Sequence, residues 1–197
     1  QSLFAISQDV CKPFDKNRSG VVLGEGSAAV VLSVERNIFK EHPLELLGGA
    51  ISNDANHISG PSRTGEGLFR SIQNALKEAQ IEANKLDYIS AHGTATPYND
   101  EMEAIALTRL DLQNVPVNSL KGFYGHTLGA SGLLETVIAI ESANQNKLFE
   151  SKGFDEIGVS EAINVIDKNQ EKKIEYFLKT ASGFGGCNTA VVFEKIK

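Results

Sequence analysis

Tryptophan is missing from these 197 residues, methionine occurs once, and cysteine occurs only at Cys11 and Cys187. Two cysteines outside any CxxC pair cannot build a disulfide framework, and their spacing argues against structural zinc. No metal is expected on this ground. Basic excess is lacking too. The formal net charge is -6 and the Lys and Arg residues are scattered, so no electrostatic footprint for DNA or RNA exists. No apolar run approaches the roughly 20 residues that cross a bilayer. The opening QSLFAISQDV is not a charged start followed by a long apolar stretch. The expectations are a cytoplasmic protein with neither nucleic acid nor membrane as partner.

What is present is a hydrophobic fraction of 41%, enough for a real core within one domain over residues 1–197. SAAVVLSVER, residues 27–36, is a β-branched run without charge until Glu35 and predicts a buried strand of about 7 to 8 residues. ELLGGAIS predicts a second strand. Leu68, Ile72, Ala75, Leu76 and Ala79 follow helical spacing, with Arg70, Lys77 and Glu78 on the opposite side. LDYISA reads as a short strand, and Met102, Ile105, Ala106 and Leu110 mark the core face of the next helix. LLETVIAIESA is apolar nearly all round, which predicts a centrally buried helix. IEYFLKTAS and NTAVVFEKI are strands joined by GFGG, the pattern of a hairpin. The alternation indicates an α/β architecture, a mixed sheet with packed helices.

Chemistry concentrates in two strand-end loops. VNSLKGFYGHTLGASGLLE carries Lys121 and His126 in a Gly-rich loop just before a helix that starts at Gly129 or Ala130. AHGTATPYNDEMEA carries His92 where a strand stops, followed by Thr94 and Thr96. Asp100 and Glu103 have two readings: a capping box, or a Glu103 that also meets a buried partner such as Lys121. His57, in a long polar loop, reads as a solvated surface histidine. Asp15 and Glu25 read as loop hydrogen-bonding groups, beside Gly24 and Gly26, which permit close approach of another segment. Phe184, between glycines, reads as a gate or binding wall, with a packed turn as the alternative. Two histidines and a lysine without paired carboxylates fit oxyanion stabilisation, where each preorganised donor is worth about 2.7 to 4 kcal/mol. A catalytic zinc would need a third protein ligand, and none is conspicuous.

Four motifs in order carry a resemblance: KPFDKNRSGVVLGEG at 12–26, HGTATPYNDEMEA at 92–104, KGFYGHTLGASG at 121–132 and SGFGGCNTA at 182–190. Together they resemble the C-terminal half of a β-ketoacyl-[acyl-carrier-protein] synthase, a condensing enzyme of the thiolase fold. Thiolases share a GHTLGASG-like loop but carry a cysteine before a terminal glycine run, whereas Cys187 follows the glycines. The resemblance implies a mixed five-stranded sheet and decarboxylative condensation of acyl and malonyl thioesters in fatty acid, polyketide or polyene synthesis. It makes His92 and His126 the malonyl-binding histidines, and Lys121 the supporting lysine, with Glu103 as its carboxylate. Thr94 and Thr96 become the phosphopantetheine-binding threonines and Phe184 the gate. The acyl carrier protein is the implied partner, bringing its phosphopantetheine, and no cofactor of the chain's own is expected.

The family's nucleophilic cysteine lies in the N-terminal half, and neither Cys11 nor Cys187 stands in its context. This chain alone is therefore expected to be inactive, a fragment whose residues 1–36 include the junction with the other half. A homodimer or heterodimer is expected of the full-length protein. The competing expectation is a non-catalytic subunit resembling a chain-length factor.

Overall fold

The structure, a computed structural model, describes residues 6–39, 43–54 and 60–196. His57 lies outside the described residues. The elements are β1 (Leu44–Asn53), α1 (Glu66–Ala79), β2 (Tyr88–Ser90), α2 (Pro97–Thr108), β3 (Val117–Asn118), the single turn α3 (Lys121–Tyr124), α4 (Ser131–Gln145), β4 (Lys147–Leu148), β5 (Gln170–Glu171), β6 (Tyr176–Gly183) and β7 (Cys187–Lys195).

One five-stranded sheet, in the order β1, β7, β6, β2, β3, forms the centre. β1, β7 and β6 run antiparallel, whereas β6, β2 and β3 are parallel neighbours. The mixed character follows from the connections. A short glycine-containing loop folds β7 back on β6, a crossover through α2 leads from β2 to β3, and a longer one through α3 and α4 leads from β3 to β6.

Alternation along the strands sends side chains to two different cores. On one face Ile89, Leu178, Ala190 and Val192 pack against Leu68, Ile72, Ala75 and Leu76 of α1 and against Met102 and Ala106 of α2. On the other face Tyr88, Phe177 and Phe193 meet Ala139 and Ala143 of α4. Phe177 and Phe193 stack there with ring centroids 4.9 Å apart. The sheet is thus covered by helices on both sides, and its parallel strands end together at one edge.

Three expectations change. Residues 27–36 form no strand, and Val31, Leu32 and Val34 are exposed. Their β-branched pattern favours extended backbone, but no strand among the described residues offers them a ladder. Within this chain helix α4 is buried along one side only. Ser131, Glu135, Ala139, Ser142 and Ala143 make one buried stripe, while Leu133 is exposed, because a single sheet covers a single face. No capping box opens α2. It starts earlier, at Pro97, after Ala95 takes a left-handed φ of 60°, and Thr96 at the cap position makes no side-chain cap. Asp100 and Glu103 consequently sit inside the helix and turn toward the interior.

Candidate active site

Because β2 and β3 are parallel neighbours, the loops leaving their C-terminal ends emerge side by side. The first delivers His92 and the second Lys121 and His126. The second loop is also braced from the N-terminal segment: the His126 N–H donates to Val22 O at 2.7 Å, and the Gly24 N–H donates to His126 O at 3.0 Å. A Cβ on Gly24 would overlap the Tyr124 carbonyl oxygen, so the close approach foreseen for that glycine is real.

Acids buried in α2 hold the first loop. Glu103 accepts from the N–H groups of His92 at 2.9 Å and Gly93 at 2.7 Å, and from the Asn99 amide at 2.6 Å. Asp100 accepts from the N–H groups of Phe14 at 2.8 Å and Thr94 at 2.9 Å. Burial, reinforced by Asp100, pushes the Glu103 carboxyl up to about 7. The KPFD segment, HGT loop and α2 are therefore one hydrogen-bonded unit.

The two imidazoles meet edge to face, with ring centroids 5.1 Å apart at 81°. Their tautomers follow from fixed neighbours. Lys121 Nζ lies 3.2 Å from His92 Nδ1, and an ammonium can only donate, so Nδ1 accepts and the hydrogen sits on Nε2. His126 Nδ1 accepts from the Leu128 N–H at 3.1 Å, leaving its hydrogen on Nε2 as well. Both rings are held neutral. Burial, aided by Lys121 and Lys179, keeps His92 well below the usual imidazole range. Burial and the Lys121 ammonium bring His126 down to about 4.

Lys121 itself is wholly buried and bonds His92 O and Glu135 Oε1, each at 2.5 Å. The carboxylate that pairs with Lys121 is therefore Glu135, not Glu103, whose oxygens are taken by the His92 and Gly93 N–H groups. Glu135 reaches this position because the buried stripe of α4 puts it one turn after Ser131, whose hydroxyl donates to Glu135 Oε1 at 3.0 Å. Its other oxygen, Oε2, accepts from Lys179 Nζ at 2.6 Å. Burial alone would raise the Glu135 carboxyl, but Lys179 and Lys121 outweigh it and hold the group ionised.

Glu135 and Lys179 escape a reading of the sequence by motif. Their signal is nonetheless present: a lone carboxylate within the apolar run LLETVIAI and a lone lysine within the strand IEYFLKTAS.

Thr94 and Thr96 share a hydroxyl–hydroxyl hydrogen bond of 2.8 Å beside this cluster. Phe184 stands 79% exposed at the tip of the β6–β7 hairpin. Burial pushes the Cys11 thiol up to about 11, opposite to what a nucleophile needs. Cys187 is exposed at the start of β7. Among the described residues no group of three or more His, Cys, Asp or Glu is arranged to hold a metal ion. None of the helices among the described residues is long and apolar enough to cross a membrane.

The family whose profile is described as "Beta-ketoacyl synthase, C-terminal domain" matches residues 44–155. The chain belongs to the β-ketoacyl synthase family. It is 34% identical over 196 residues to a putative mitochondrial 3-oxoacyl-[acyl-carrier-protein] synthase of Schizosaccharomyces pombe, covering 93% of this chain and 46% of the relative. It is 32% identical over 197 residues to a polyketide-biosynthesis malonyl-ACP decarboxylase of Bacillus subtilis, covering 96% of this chain and 46% of the relative. The solved structure of the ishigamide ketosynthase/chain length factor superposes with a TM-score of 0.91 at 28% identity, over 98% of this chain and 49% of that one. The fold is thus the C-terminal half of a ketosynthase of the thiolase type, and the chain spans about half the length of the curated relatives it matches.

Proposed function

We propose that this chain supplies the decarboxylating half of a β-ketoacyl-[acyl-carrier-protein] synthase, which joins acyl and malonyl thioesters in fatty acid or polyketide/polyene synthesis. The observation that carries this reading is the pair of neutral imidazoles, each fixed at Nδ1 so that Nε2–H is free to donate. When a malonyl thioester loses carbon dioxide, the electron pair of the broken C–C bond becomes an enolate whose charge rests on the thioester oxygen. His92 and His126 donate to that oxygen, and donors placed in advance stabilise the developing charge without reorganising. The enolate carbon then attacks an acyl thioester on a cysteine outside this chain. The new C–C bond forms as the cysteine thiolate leaves.

Lys121 fixes His92 through Nδ1 and its carbonyl oxygen. Glu103 secures the same loop through backbone N–H groups. Thr94 and Thr96 offer hydroxyls to the phosphopantetheine arm of an acyl carrier protein, and Phe184 gates the acyl entrance. The exposed apolar residues Val31, Leu32 and Val34, with the open face of α4 at Leu133, offer the surface for the N-terminal half. The full-length protein is cytoplasmic and works as a homodimer or heterodimer in this reading.

A non-catalytic partner resembling a chain-length factor is the second reading, favoured by the likeness to the ishigamide ketosynthase/chain length factor. Such a subunit has no use for two Nε2–H donors and a wired lysine. The discriminating experiment is carbon dioxide release from malonyl carrier by the full-length protein. Release that disappears in His126→Ala supports the enzyme, and none from the wild type supports the partner subunit.

A further inference from the structure

We propose that Lys179 is a positioning residue for the histidine pair: by occupying one oxygen of Glu135 and bonding the end of β2, it keeps Lys121 turned toward His92. The inference rests on the decarboxylation reading for its purpose, and on geometry for its content.

A lysine in the middle of a central strand is costly, since 2% of its surface remains exposed and its charge is desolvated. Strand alternation puts it on the α4 face with Phe177, where an unbranched apolar side chain would fill the space without that cost. Its ammonium instead meets four acceptors: Glu135 Oε2 at 2.6 Å, Thr180 O at 2.7 Å, and Ser90 O and Ala91 O at 3.3 Å each. Ser90 and Ala91 immediately precede His92. Lys179 therefore ties the strand end that carries one imidazole to the helix that carries Glu135.

The division of Glu135 matters as much. Oε1 serves Lys121 and Ser131, while Oε2 serves Lys179. Without Lys179 the freed oxygen becomes a second acceptor for Lys121, which draws Nζ away from its 3.2 Å contact with His92 Nδ1. Charge acts in the same direction. The charged and titratable groups facing the cluster are Lys179 on β6, Lys121 and Tyr124 on α3, Glu135 on α4, Glu103 and Asp100 on α2, Tyr88 on β2 and Cys11 in the N-terminal segment, besides the two histidines. At the acid pH of the limb Glu103 is protonated, so Lys121, Lys179 and Glu135 together leave one net positive charge beside the imidazoles. Both ammoniums oppose protonation of His92 and of His126. Removing Lys179 cancels that net charge and lets the rings protonate at higher pH.

The test is the pH profile of malonyl-carrier decarboxylation by the full-length protein, for the wild type, Lys179→Met and Lys179→Arg. The Met variant is expected to move the acid limb upward by about one pH unit, from about 4 to about 5, losing about twofold more activity at pH 5 relative to pH 8 than the wild type does. Acyl loading onto cysteine is expected to stay unchanged, and Lys179→Arg to restore the limb. A uniform loss with an unmoved limb and a lowered melting temperature would overturn the proposal in favour of simple packing. If Lys179→Met does not fold, Lys179→Gln, which keeps donors for the Ser90 and Ala91 carbonyls, reads the same limb. If the wild type releases no carbon dioxide, the functional reading fails by itself. The inference is then decided by NMR titration of the two imidazoles, which must protonate at higher pH in the Met or Gln variant.

Discussion

The ring of His92 stands edge-on to that of His126, with centroids 5.1 Å apart, although one leaves β2 and the other follows β3. Parallel pairing of those two strands is what makes the meeting possible. Each ring then accepts one hydrogen bond at Nδ1, from Lys121 and from the Leu128 N–H respectively. The two tautomers are set by different neighbours, a side-chain ammonium for His92 and a backbone N–H for His126, so mutations can perturb one ring without the other.

His126→Ala in the full-length protein removes one donor and the edge contact but leaves Glu135, Lys121 and Lys179 in place. Decarboxylation of malonyl carrier is expected to fall about 10²- to 10³-fold or more, while transfer of an acyl group to cysteine persists in part. Single-turnover assays of the two half-reactions check this. Equal loss of both would mean that the substitution dismantles the site.

The same histidine links stability to pH. Its folded-state value of about 4 lies below the unfolded 6.5, so between these the unfolded chain binds more protons. Stability contributed by His126 is full above pH 6.5 and is lost as pH falls toward 4. A fully shielded group gives about 1.4 kcal/mol per pH unit, and partial exposure reduces this to about 1. His126→Gln is expected to flatten the urea-derived stability profile by that slope between pH 4 and 6.5. A parallel profile would show that the ring titrates normally.

Glu135 holds two buried ammoniums, Lys121 at 2.5 Å and Lys179 at 2.6 Å. Glu135→Ala strands both, and breaking a buried pair by removing one partner costs about 3 to 5 kcal/mol. The expected result is a fall in unfolding free energy of at least that size, measured by urea titration. The pair Lys16–Glu156 is exposed on both sides, and Glu156→Ala is expected to cost under about 1 kcal/mol. Similar costs for the two would contradict the buried cluster.

The contrast between Glu103 and Glu135 shows what the sequence could reveal. His92, His126 and Lys121 were legible because each sits where an apolar run stops in a Gly-rich loop, and four ordered motifs pointed to a condensing-enzyme half. The hairpin, α1 and the mixed five-stranded sheet were legible from periodicity and the family resemblance. Which carboxylate meets Lys121 was not, because partner choice depends on how α4 rolls against the sheet. Glu135 and Lys179 lie within largely apolar segments, and a charge in such a segment must find a partner once buried. Residues 27–36 failed differently: β-branching describes a backbone preference and says nothing of whether a neighbouring strand is at hand.

Phe184 tests the open hairpin tip. It is 79% exposed, so its ring contributes little to the core, and Phe184→Ala is expected to change unfolding free energy by less than about 0.5 kcal/mol. The loop is short and glycine-rich, anchored at its base by the Gly183 and Cys187 pairing, so the ring can swing without disturbing β6 or β7. A gate acts on the entry of acyl groups. The variant of the full-length protein is therefore expected to alter the rate or chain-length selectivity of acyl loading while decarboxylation stays within about twofold. Loading assays with acyl carriers of several lengths, beside a thermal melt, measure both quantities. A lowered melting temperature with unchanged loading would assign Phe184 to packing, and His92 with His126 would then work without a gate at this position.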